Sequence, residues 1–171
     1  MIEGFGVFEH LAHICHIACI PGGDILVEGI GVFEHFAPNC HIAGVPRTDV
    51  LVNSAGHSST NRGLLATTPE EIRTVIDSNL IGTMFFTQAV FPLMLEANKG
   101  TVINVASMAG ITAGLLGGMV YGAAKAGVIN FTKFLNNEFN NTGIRASVVI
   151  PGEVDTPILT KRPVPPDDKA R

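Results

Sequence analysis

The chain has 171 residues, the length of a single domain, and can bury roughly 70% of its unfolded surface. It is 46% hydrophobic and only 15% charged, which excludes intrinsic disorder because apolar surface is ample for collapse. A net charge of −4 gives no electrostatic reason to bind nucleic acid or anionic lipid. Three cysteines (Cys15, Cys19 and Cys40) make no disulfide framework, so a reducing, cytoplasmic setting is expected.

The amino end is a tandem repeat with a 25-residue period. Residues 3–27 and 28–52 share most positions in register, including Glu, G-x-G, Phe-Glu-His, Cys-His-Ile-Ala and a closing Asp-x-Leu-Val. Two copies are too few for a solenoid, so residues 1–52 read as an atypical local duplication. Glu3 and Glu9 stand where a secretory leader would be basic. His10, His13, Cys15, His16, Cys19, His35, Cys40 and His41 follow no standard zinc spacing and read as half-buried residues, with no metal expected.

Each copy ends in a short apolar strand, at 24–27 and 49–52, and the second strand runs into Asn53-Ser54-Ala55-Gly56. Thr68-Pro69-Glu70-Glu71 is a helix start with a capping box. Apolar residues at helical spacing then carry that helix to about Lys99-Gly100. Residues 101–105 read as a buried strand, 120–140 as a second helix, and 144–150 as a strand stopped by Pro151-Gly152. This alternation implies an α/β fold with a parallel sheet. Residues 78–95 and 100–124 are uncharged, but their internal Asn, Thr, Gln, Pro and Gly argue against a membrane span. A polar, proline-rich tail follows at 161–171.

Tyr121 and Lys125 lie four apart near a helix start, so they share a face, and an ammonium there favours a phenolate. Ser107 follows the 101–105 strand by two residues. In a parallel sheet the strand ends carrying Asn53–Gly56, Ser107 and Pro151-Gly152 share one rim, where ligands bind.

In these features the sequence resembles the short-chain dehydrogenase/reductases. Asn53-Ser54-Ala55-Gly56 is similar to that family's Asn-Asn-Ala-Gly loop, and Asn79 to its helix asparagine. Ser107 resembles its serine, Tyr121-Gly122-Ala123-Ala124-Lys125 its Tyr-x-x-x-Lys, and Pro151-Gly152-Glu153-Val154-Asp155-Thr156 its Pro-Gly segment.

The resemblance implies a partial Rossmann-like, doubly wound parallel sheet in a three-layer α/β/α arrangement, with a catalytic core at 49–160. It implies an oxidoreductase that uses NAD or NADP on a small or lipid-like carbonyl or alcohol. Ser107 would hold the substrate oxygen, Tyr121 exchange its proton, and Lys125 lower the tyrosine pKa and bind the ribose. Asn79 would hold a relay water. Asn53, Ala55, Gly56, Pro151, Gly152, Val154 and Thr156 would line the cofactor. The two long helices would pair in a homodimer or homotetramer.

The family's turn of three spaced glycines is not matched: only Gly29-Ile30-Gly31 follows a strand, and no residue assigns NAD over NADP. The carboxyl end is also short of the family's pattern, so the chain reads as truncated at both ends. An inactive relic serving as a structural or dimerising module is the alternative. The apolar edge of the 49–52 strand would then need a neighbour, and residues 24–27 are the candidate.

Overall fold

The structure, a computed structural model, describes the strand backbones at 16–20 and 24–28 together with residues 48–114, 117–152 and 154. Five strands form one sheet in chain order: β1 (His16–Ile20), β2 (Asp24–Glu28), β3 (Val50–Asn53), β4 (Gly100–Val105) and β5 (Ile144–Val149). Strands β2 to β5 are parallel, as the alternation of strands and helices requires.

The expected neighbour of β3 is there: Ile25 pairs with Leu51, Leu26 with Val52 and Val27 with Asn53. Strand β1 is a departure from the sequence reading. It pairs antiparallel with β2, and the Pro21-Gly22-Gly23 sequence between the two apolar runs is a turn signal that suits this pairing. The Gly29-Ile30-Gly31 sequence, the His and Cys side chains of the duplication, Thr156 and the 161–171 tail lie outside the described residues.

The first long helix is continuous from Pro69 to Glu96. It comprises α1 (Pro69–Ile76), a π-helical turn (Asp77–Ile81) and α2 (Gly82–Glu96). Its start follows the capping rule in full: Thr68 Oγ1 accepts the Glu71 N–H, and Glu71 accepts the Thr68 N–H, both at 3.2 Å. Its end falls earlier than the 99–100 boundary expected. Asn98 takes the left-handed conformation (φ 45°) that follows the helix end, and Gly100 already belongs to β4. Asn98 also accepts the Gly143 N–H through Oδ1 at 2.9 Å, which ties the entries of β4 and β5 together.

The second long helix, α3 (Met119–Glu138), packs against α1 and the π turn, so these helices cover the same face of the sheet. Leu51, Val102, Ile144 and Ala146 from the strands meet Phe86, Val90, Phe91 and Met94 of α2 in the main core. Ala106, Val128 and Ile129 form a second cluster beside the carboxyl ends of the strands. A three-layer arrangement is the expectation; among the described residues the helices form one layer.

By length and apolarity the Pro69–Glu96 helix could cross a bilayer, but half of its most apolar stretch is buried inside this fold. Packing on the sheet accounts for that apolarity. The uncharged 100–124 stretch is divided among a strand, a loop and the start of α3.

Buried polar groups cross-link the layers. Asn53 Nδ2 donates to Asn104 Oδ1 at 2.8 Å and to Thr87 Oγ1 at 3.1 Å, and Asn104 Nδ2 donates to Thr132 Oγ1 at 2.9 Å. Asn104 of β4 thereby joins β3 to α3, and Asn53 extends the network to α2. Asn104 is fully buried, so Asn104→Ala removes two hydrogen bonds and opens a void. A loss of about 2–4 kcal/mol in urea unfolding is expected. A loss under about 0.5 kcal/mol would show that the network contributes little.

Candidate active site

The carboxyl ends of β3, β4 and β5 form the expected rim. Pairing continues past the strands: Ala106 N–H donates to Val149 O at 2.8 Å, and Met108 N–H to Pro151 O at 2.9 Å. Pro151 is therefore held against the segment that carries Ser107. Ser107 is extended, and its Oγ accepts the Ala109 N–H at 3.2 Å, capping a 3-10 turn at Met108–Gly110.

That turn packs on the first turns of α3, backbone against backbone. A Cβ on Gly110 would lie 2.7 Å from the Lys125 carbonyl carbon, and one on Gly122 would lie 2.8 Å from Ala109 O. Glycine at both places lets the two segments approach closely enough to bring Ser107 to Tyr121.

Tyr121 is largely buried, and this burial pushes its phenol above the ordinary value. The nearby Ser107 hydroxyl and the positive charge of Arg62 pull it back down. Lys125 is buried, and burial brings its ammonium down to about 8. Its Nζ donates to Val105 O at 2.8 Å and stands 5.6 Å from the centre of the Tyr121 ring. Lys125, the group expected to lower the tyrosine, holds its ammonium beside the ring.

Asn79 sits in the π turn, a kind of helix irregularity often found at functional sites. Its Nδ2 donates to His57 O at 2.7 Å and to Val75 O at 2.9 Å. Its Oδ1 is buried and has no partner among the described residues. That oxygen faces Gly56: a Cβ there would collide with Asn79 Oδ1 and lie 3.3 Å from Lys125 Nζ. Asn79, Gly56 and Lys125 thus meet at one point beside the rim.

Asn53 behaves differently from the backing residue it was expected to be. Its amide points inward to Thr87 and Asn104, so its side chain orders the loop from below. Ala55 is half-buried against the main core, and Gly152 and Val154 are exposed.

Two features had no sequence signal. Arg62 is a lone cation in a polar loop, and His57 Nδ1 lies 2.9 Å from the buried Ser78 Oγ. Only the fold brings either one to the site.

Residues 39–165 match the short chain dehydrogenase family model. The chain belongs to this family of oxidoreductases, and its fold is Rossmann-like. It is 46% identical over 79 residues to a 7alpha-hydroxysteroid dehydrogenase of Bacteroides fragilis, covering 46% of this chain and 30% of that protein. It is 42% identical over 102 residues to a 3-oxoacyl-[acyl-carrier-protein] reductase of Thermotoga maritima, covering 60% of this chain and 39% of that protein. A short-chain dehydrogenase from Sphingobium yanoikuyae, solved in complex with NADPH, superposes with a TM-score of 0.62 at 29% identity, covering 67% of this chain and 44% of that one. The chain thus spans less than half the length of these relatives.

Proposed function

We propose that this chain is a NAD(P)-dependent oxidoreductase that interconverts a carbonyl and a secondary hydroxyl group, with Tyr121 exchanging the proton. The observation that carries this reading is the buried Lys125, its Nζ 5.6 Å from the centre of the Tyr121 ring, at the sheet rim that also carries Ser107.

The residues at the rim suit a nicotinamide dinucleotide. Gly56, bare of a side chain, lies directly against the unpartnered Asn79 oxygen and beside the Lys125 ammonium, which brings a free acceptor and a buried cation to the loop that would back the cofactor. When bound, the dinucleotide supplies or accepts the hydride. Lys125 would donate to its ribose hydroxyls, while Ala55 and Gly56 would admit it closely. Pro151, Gly152, Val154 and Thr156 would flank the nicotinamide end, and Asn53 would fix the loop from beneath.

Ser107 would donate to the substrate oxygen and hold it against the phenol. Tyr121, kept protonated by burial, would give its proton to that oxygen in reduction and remove it in oxidation. Asn79 would hold a water in the relay toward solvent.

The relatives' names include a hydroxysteroid and a 3-oxoacyl group, which fits a lipid-like or other small ketone or alcohol as substrate. A second copy would pack on the long helices, where Ile72, Leu95 and Phe134 are exposed. The reducing, cytoplasmic setting expected from the cysteines agrees with this chemistry.

The test is an assay with NADPH and with NADH against steroid ketones and 3-oxoacyl thioesters. Cofactor oxidation that depends on the ketone supports the reading. No oxidation with any pair, from a chain shown to be folded, contradicts it.

A further inference from the structure

His57 and Ser78 have no task in the family resemblance, yet the fold brings them together beside Asn79. His57 follows Gly56 in the loop after β3, and Ser78 precedes Asn79 in the π turn. Through His57 the loop grips the turn twice. The His57 carbonyl accepts from Asn79 Nδ2 at 2.7 Å, and the imidazole Nδ1 lies 2.9 Å from Ser78 Oγ. Ser78 Oγ in turn accepts from Asn79 Nδ2 at 3.2 Å and lies 3.3 Å from Val75 O. Ser78 and Asn79 are both buried, so water does not compete for these bonds.

The same contacts decide which way the Asn79 carboxamide points. Its nitrogen faces His57 O, Val75 O at 2.9 Å and Ser78 Oγ. Two of these three are carbonyls, which only accept, so the amide cannot turn its oxygen toward them. The oxygen is left on the other side, buried and without a partner among the described residues. There it meets Gly56, where a Cβ would collide with it and lie 3.3 Å from Lys125 Nζ. Burying an unpaired acceptor is unfavourable, so the amide has to be held from its nitrogen side. The His57 carbonyl holds it while the loop stays on the turn, and the bond between imidazole and Ser78 fastens the loop there.

We propose that His57 is a positioning residue for Asn79: its imidazole clamps Ser78, and the clamp keeps the Asn79 oxygen directed at Gly56 and Lys125. The inference rests on the reading of those three residues as part of the dinucleotide site. The bonds that carry it are made without a ligand, so its test requires neither turnover nor cofactor.

The measurement is proton exchange at the Asn79 side-chain amide, followed by NMR on the ligand-free chain, with the signal identified by its loss in Asn79→Asp. His57→Leu is expected to speed that exchange about tenfold, while the backbone amides of β4 and α3 keep the rates of the parent. His57→Asn has the shape of the leucine variant but restores a polar atom that can bond Ser78. It is expected to stay within about twofold of the parent. A role confined to packing would leave the two variants alike.

A parent-like rate in His57→Leu, or equal rates in the two variants, would overturn the proposal. Should both variants fail to fold, Ser78→Ala decides, since it removes the clamp from the other side. Faster exchange of the backbone amides at 56–58 then supports the proposal, and the parent rates reject it. A folded parent chain that binds neither NADPH nor NADH would refute the functional reading and leave this exchange result standing.

Discussion

Tyr121→Phe is expected to lower turnover by about a thousandfold or more while the fold and the affinity for the dinucleotide stay close to the parent. The ring fills the same volume, so packing beside Gly117 and the 3-10 turn is kept. What disappears is the hydroxyl, and with it the only tyrosine proton in the chain. Because burial raises the phenol, it is protonated at neutral pH and ready to act as an acid toward a carbonyl oxygen. Carbonyl reduction should therefore hold level through neutral pH and fall in alkali, whereas alcohol oxidation should climb with pH. Activity within tenfold of the parent in the Phe variant would remove Tyr121 from the proposed role.

Lys125→Met is expected to make the ligand-free chain more stable at neutral pH while abolishing saturable dinucleotide binding. Burial lowers the ammonium from its ordinary 10.5 to about 8, which means that the charged form is held in the fold at a penalty of roughly 3 kcal/mol. The bond to Val105 O returns about 1 kcal/mol of this, leaving a net gain of about 1–2 kcal/mol for a methionine of similar length. The pH dependence gives the sign independently. Between about 8 and 10.5 the unfolded chain binds more protons than the folded one, so the parent should gain stability as pH rises through that window. The Met variant should show no such rise. A variant less stable than the parent at neutral pH would mean that the ammonium is a structural asset. A residue kept against stability is the signature expected of one retained for binding.

Much of the fold was legible because its signals are local. The capping box at Thr68 and Glu71, the β-branched run in β4 and the proline that follows β5 each act within a few residues. The end of the first long helix was misplaced for a related reason: Asn98 can adopt the left-handed conformation, so the nearby Gly100 was not required there. Strand β1 was missed because a five-residue apolar run with His and Cys has no periodicity to separate strand from loop.

For the site, motif spacing located Ser107, Tyr121 and Lys125 at one rim, and the fold brings them together. The electrostatics were not legible. Four-residue spacing says that Lys125 and Tyr121 share a helix face, but it cannot say that the Val105 carbonyl engages the ammonium. Nor does any spacing carry Arg62 across the rim from its own loop. The inward turn of Asn53 depends on Thr87 and Asn104, 34 and 51 residues away, and only the folded chain places them beside it.

The account stands most directly on whether the rim holds a nicotinamide dinucleotide, and a fluorescence titration of NADPH and NADH measures this. Saturable binding of one or both at micromolar concentrations, lost in Lys125→Met, is the predicted result. A folded parent chain that leaves the emission of both unchanged up to millimolar concentrations would contradict it.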